Sequence, residues 1–84
     1  MKFKAEIDVM PLKELLDPQG KAVAASMKNL SLEEIFKVRI GKHISLELEA
    51  ADEAAARQMV ESACKSLLAN PVMEYFEFEL SPSS

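Results

Sequence analysis

The strongest constraint on the fold is a stretch near the middle of the chain where two alternating runs of apolar residues meet at Gly41. The apolar positions of the two runs are Phe36, Val38, Ile40, Ile44, Leu46 and Leu48. A period of two residues is typical of a β-strand that has one buried face. The stretch therefore predicts a β-hairpin at the centre of a sheet.

The register of this hairpin depends on the length of its loop. A two-residue loop, Gly41-Lys42, would set Ile40 opposite His43 and place polar groups beside apolar residues on one face. A three-residue loop over 41–43, or an equivalent bulge, sets Ile40 opposite Ile44 and keeps the apolar residues together. The hydrophobic pattern therefore favours the longer loop.

Two helices and two outer strands complete the predicted fold. Strict alternation over 2–9 predicts the first strand, and an aspartate followed by a proline at 17–18 is a typical helix start. A second helix is predicted over 52–69 with Asp52 as its cap, and a last strand over 72–80. The order is that of a ferredoxin-like βαββαβ fold, an α+β class with a four-stranded antiparallel sheet and both helices on one face.

The short chain limits how much core this fold can have. Its 84 residues bury only about 60–65% of the surface that the unfolded chain exposes. We expect one domain over 1–80, a flexible C-terminal tail over 81–84, and self-association or docking on a larger partner. The outer face of the sheet mixes charges of both signs, so pairing with a second copy and simple solvation both stay open.

Composition disfavours several classes of function. Ten basic against 14 acidic side chains give a net charge of −4, which is the wrong sign for binding nucleic acid. The single cysteine, Cys64, cannot form an internal disulfide, and there is no apolar run of about 18 residues. We expect a cytoplasmic protein that binds neither nucleic acid nor membrane.

No catalytic constellation is visible in the sequence. The single histidine, His43, falls in the predicted hairpin loop, where we expect a solvated turn residue. Cys64 lies on the apolar stripe of the second helix, so we expect a small buried hydrophobic residue. The sequence contains no cluster of metal ligands and no phosphate-binding loop. We therefore expect no catalytic residues, no metal and no cofactor.

Three motifs together resemble the PurS family, the small subunit of phosphoribosylformylglycinamidine synthase. They are LDPQGKAV at 16–23, VRIGK at 38–42 and LLANPVME at 67–74, and the resemblance spans 2–80. It implies a non-catalytic subunit that forms dimers or higher oligomers in purine biosynthesis. It also implies bridging between a glutaminase subunit and an ATP-dependent synthetase subunit, with support for the transfer of ammonia between them.

The motif residues are the candidates for contact with those partner subunits. They are Asp17, Pro18, Gln19, Gly20, Arg39, Gly41 and Lys42. A purely structural role is the alternative for each: Asp17 and Pro18 as a helix cap, and Gly41 as a turn. Gly20 is either a tolerated first-turn residue or a point of close approach for another chain or ligand. The rival function is a small-molecule-binding regulatory domain of the same topology, and a free-standing enzyme would need a nucleophile or an acid–base pair.

Overall fold

The computed structural model describes residues 1–13 and 15–83, which form three strands and two α-helices. Asp17 and Asp52 cap the two α-helices, as the sequence predicts, because each carboxylate accepts from a backbone N–H in the first turn. The elements in chain order are β1 (Lys2–Pro11), α1 (Pro18–Met27), a 3₁₀ turn (Lys28–Leu30), β2 (Lys42–Glu49), α2 (Glu53–Ala63), a π-helical turn (Cys64–Leu68) and β3 (Glu74–Ser83).

The sheet has the order β2-β1-β3, and both pairings are antiparallel. The registers set Ile7 of β1 opposite Ile44 on one side and Phe78 on the other. Apolar residues of all three strands therefore share one face, because side chains alternate between the faces of a strand. The polar residues of the same strands form the opposite, outer face.

The core lies between the apolar sheet face and α2 with its π-helical turn. The buried hydrophobic residues are Phe3, Ala5, Ile7, Val9, Ala56, Val60, Cys64 and Ala69. Four of them come from β1, whose central position lets neighbours cover it on both sides. The expectation that Cys64 is buried is confirmed.

The predicted central hairpin is not formed. Among the described residues, those at 35–41 belong to no strand, and β2 pairs with β1 instead of with 36–40. The sheet of the described chain thus has three strands, one fewer than the four-stranded antiparallel sheet that the sequence predicts. An alternating pattern shows that a strand has one apolar face, but it does not specify which segment the strand pairs with.

The segment between β1 and β2, which we call the arm (residues 12, 13 and 15–41), contributes nothing to the described core. Its helix α1 buries only Gly20, so the prediction that both helices cover the sheet holds for α2 alone. The radius of gyration is 16.6 Å, against about 12 Å for a compact chain of this length. The extents of 51 × 28 × 14 Å describe a thin, elongated molecule.

The C-terminal strand is longer than the sequence suggests. β3 runs to Ser83, and its last three residues lie opposite β1, so 81–83 do not form the predicted tail. Ser84 lies outside the described residues. No helix in the described chain is long and apolar enough to cross a membrane.

Candidate interaction site

Asp17 joins the start of α1 to the end of the arm. Its Oδ1 accepts from the backbone N–H of Gly20 at 3.0 Å, and its Oδ2 accepts from the backbone N–H of Ile40 at 2.9 Å. These two hydrogen bonds, first that of Gly20, hold the pKa of the Asp17 carboxyl below its usual value. One carboxylate thus caps the helix and fixes a residue 23 positions further along the chain.

Gly20 lies directly against the same part of the arm. A Cβ atom built at Gly20 would overlap the carbonyl oxygen of Val38 and the carboxylate of Asp17. The close approach that the sequence left open is therefore present, and the backbone that approaches belongs to the same chain. Only glycine allows two backbones to come this near.

Arg39 and Gly41 attach the end of the arm to the sheet. The Arg39 guanidinium donates to the carbonyl oxygen of Pro11 and lies 3.5 Å from the hydroxyl of Tyr75. A Cβ at Gly41 would overlap the carbonyl oxygen of Val9 and the sulfur of Met10, so this position also requires a close approach of two backbones.

Four of the seven predicted contact residues hold the end of the arm, either against α1 or against the sheet, and we call them the latch: Asp17, Gly20, Arg39 and Gly41. Sequence reasoning singled out these residues but did not predict which parts of the chain they hold together. It also missed Tyr75, because nothing in the local pattern links that side chain to Arg39.

The other three predicted contact residues lie outside the latch. Pro18 and Gln19 are exposed at the first turn of α1, and Lys42 is exposed at the start of β2. Their side chains are therefore available to another molecule. Contact of any of the seven with a partner stays a prediction.

His43 lies on β2 and not in a loop, so its predicted position is wrong. Its ring is on the outer face, with Nδ1 2.6 Å from Asp8 Oδ1 and Nε2 2.5 Å from Glu6 Oε2. Hydrogen bonds to Asp8 and then to Glu6 raise the pKa of His43, and hydrogen bonds from His43 and Ser45 lower the pKa of Glu6. The imidazole therefore links two carboxylates of β1.

The described residues offer few groups for bond-breaking chemistry. Burial raises the pKa of the Cys64 thiol, which makes it a poor nucleophile. Within 1–13 and 15–83, no group of three or more histidine, cysteine, aspartate or glutamate side chains is arranged to hold a metal ion. The arrangement described above holds backbone segments together and exposes side chains to other molecules.

Large apolar side chains are exposed at two places. On the arm, Leu16 and Leu30 are 67% and 65% exposed, and beyond α2, Leu67 and Val72 are 83% and 78% exposed. Single exposed apolar residues are common, but several in so small a chain indicate surfaces that other proteins cover.

These features define a class: a small α+β protein with an elongated arm and several exposed apolar side chains. The family model described as "PurS: Phosphoribosylformylglycinamidine (FGAM) synthase" matches residues 4–82. The chain belongs to the PurS family, the small subunit of phosphoribosylformylglycinamidine synthase in purine biosynthesis. The resemblance inferred from the three motifs is confirmed.

Relatives cover nearly the whole chain. The PurS subunit of Synechocystis is 46% identical over 67 residues, which are 80% of this chain and 67% of that protein. The PurS subunit of Thermotoga maritima is 37% identical over 75 residues, 89% of this chain and 92% of that protein.

Solved structures share the fold. A chain in the structure of PurLQS from Thermotoga maritima has a TM-score of 0.88 at 34% identity, covering 96% of this chain and 99% of that one. The PurS structure from Bacillus subtilis has a TM-score of 0.86 at 34% identity, covering 95% and 99%. The elongated arm is therefore compatible with the fold of this family.

Proposed function

We propose that this chain is the non-catalytic subunit that bridges the glutaminase and ATP-dependent synthetase subunits of phosphoribosylformylglycinamidine synthase and supports the transfer of ammonia between them. Its relative in Thermotoga maritima forms part of a structure named PurLQS. We place this activity in the cytoplasm, where biosynthetic complexes of this kind act. The subunit would contribute by positioning its partners, because holding two reaction centres together raises the effective concentration of the transferred molecule.

The elongated shape is the observation that carries the proposal. The radius of gyration is 16.6 Å. A compact chain of 84 residues would have a radius of gyration of about 12 Å. Large apolar side chains are exposed on the arm and beyond α2. Such a shape gives little protected volume for catalysis and a large surface for contact.

The same shape supports a homo-oligomer, a dimer or a tetramer. In the described chain, the outer edges of β2 and β3 have no neighbouring strand. Unpaired edges expose backbone donors and acceptors that readily pair with another chain. A strand from a second copy would supply the fourth strand of the sheet and would cover apolar residues that one copy leaves exposed.

Reconstitution with purified partner subunits tests the proposal. Gln19→Ala combined with Lys42→Ala alters two exposed members of the predicted contact set and leaves the latch intact. Each lost polar contact costs about 1 kcal/mol, so the pair should weaken assembly by about tenfold or more. Size-exclusion chromatography with light scattering measures how much of the complex assembles. The same method gives the mass of the chain without its partners, for which we expect a dimer or tetramer.

The matched control is Lys2→Ala combined with Gln58→Ala, the same residue types at exposed positions outside the predicted contact set. A variant with Arg39→Ala and Lys42→Ala would be a less specific test, because Arg39 also holds the arm through the carbonyl oxygen of Pro11. If the Gln19/Lys42 variant assembles as well as the control, these residues are not partner contacts. If the wild-type chain binds neither subunit, the bridging proposal itself is wrong.

A further inference from the structure

A cleft of about 350 Å³ lies on the arm between α1 and residues 36–39. Its volume is at the lower end of the range of small-molecule sites, roughly 300–1,000 Å³. Lysines from three parts of the arm line it, namely Lys13, Lys21 and Lys37, together with the ring of Phe36. The latch sets the spacing of these walls, since it fixes α1 against the backbone of 38–40.

The charge in this cleft is opposite to that of the chain. The whole chain carries −4, yet none of the three lysines forms an ion pair with a carboxylate among the described residues. Asp17 is the acidic residue of the lining, and its two oxygens already accept hydrogen bonds from backbone N–H groups. The lysine ammonium groups are thus the part of the lining whose charge a ligand can neutralise.

Phe36 gives the cleft an apolar wall beside these charges. Phe36 is 84% exposed, whereas phenylalanine is among the residues most often buried. A flat ring can stack on it, while a phosphate group accepts hydrogen bonds from lysine ammonium groups. The cleft thus offers an aromatic surface for the base of a nucleotide and, beside it, lysines for the phosphate.

We propose that this cleft binds a phosphorylated ligand of mononucleotide size, with its phosphate on Lys21, Lys37 and Lys13 and its ring on Phe36. The site goes beyond the bridging function, and it does not require the partner subunits. Its failure would leave the assembly experiment unaffected, because that experiment contains no phosphorylated ligand.

Isothermal titration calorimetry with the wild-type chain as it assembles in solution tests the proposal. The probes are AMP, ribose 5-phosphate, inorganic phosphate and uncharged adenosine. We expect saturable binding of AMP, weaker binding of ribose 5-phosphate and phosphate, and none of adenosine. Lys21→Gln combined with Lys37→Gln should weaken AMP binding by about tenfold or more, because each substitution removes a charge-assisted hydrogen bond to the phosphate.

The control is Lys2→Gln combined with Lys28→Gln, which removes the same charge at exposed positions outside the cleft. It should change AMP affinity less than about twofold at physiological salt, where distant charges are screened. If both double variants lose AMP affinity equally, AMP is attracted by the overall charge of the protein, and the proposed site is wrong. Absence of saturable binding by every phosphorylated probe would also overturn it. The ring contact and the nucleotide assignment would be wrong if AMP and ribose 5-phosphate bind with equal affinity and if Phe36→Ala leaves both affinities unchanged.

Discussion

The substitution Gly20→Ala distinguishes an ordinary helical glycine from a latch residue. The two roles predict changes of opposite sign in the free energy of unfolding. In an unobstructed helix, alanine is more stable than glycine by about 1 kcal/mol. Here the new Cβ would overlap the backbone carbonyl of Val38 and the carboxylate of Asp17. Overpacking costs about 1–3 kcal/mol, and a backbone atom cannot move aside as a flexible side chain can. The cost should therefore lie in the upper part of this range, about 2–3 kcal/mol, and after the gain of about 1 kcal/mol we expect net destabilisation of about 1–2 kcal/mol.

Urea unfolding followed by circular dichroism measures this change at a fixed protein concentration. With a slope of about 1 kcal/mol/M for a chain of this size, the midpoint should fall by about 1–2 M. Hydrogen exchange gives a local measurement, because the Ile40 N–H donates to Asp17 and should exchange faster once the latch loosens. Ala25→Gly, at an exposed position of α1, is the control and should lower stability by about 1 kcal/mol without changing Ile40 exchange.

One result would refute the latch. If Gly20→Ala raises the midpoint, as alanine does in an unobstructed helix, and the Ile40 amide stays protected, then Gly20 is not a point of close approach. Gly20 would then have no structural role in holding the arm, and only the hydrogen bond from Ile40 to Asp17 would remain there.

The remaining predictions concern His43 and Cys64. Because the folded pKa of His43 is raised above 6.5, its stabilisation is complete below the unfolded pKa and is lost as pH rises through the folded value. His43→Gln should therefore lower the urea midpoint more at about pH 5.5 than at about pH 9, and an equal loss at both would contradict this. The buried Cys64 thiol should react with a disulfide reagent only after urea unfolds the chain. Immediate reaction of the native protein would show that Cys64 is accessible.

The latch changes how the motifs can be understood. LDPQG and VRIGK are separated by α1 and by the turns after it, yet Asp17 and Gly20 of the first motif contact Ile40 and Val38 of the second. The motifs thus have a structural role that the sequence offered only as an alternative for single residues. Partner contact by Gln19 and Lys42 is compatible with it, because those two residues are exposed.

The sequence by itself determined the local structure and the family. The alternation in β1, the caps at Asp17 and Asp52 and the apolar stripe containing Cys64 all depend on neighbours a few residues away. Such signals act through hydrogen bonds and side-chain periodicity that are complete within one element. The three motifs were specific enough to identify the PurS family, which the comparisons confirm.

Only the tertiary structure decided which segments meet. The alternation of 36–40 fits a strand equally well whether its partner is β2, another strand or no strand in this chain. The structure pairs β2 with β1 and holds 38–41 through the latch instead. It also places Tyr75 beside Arg39 and collects lysines from three parts of the arm around one cleft. These are contacts between residues distant in sequence, and the free energy of each depends on the whole fold, so no local pattern specifies them.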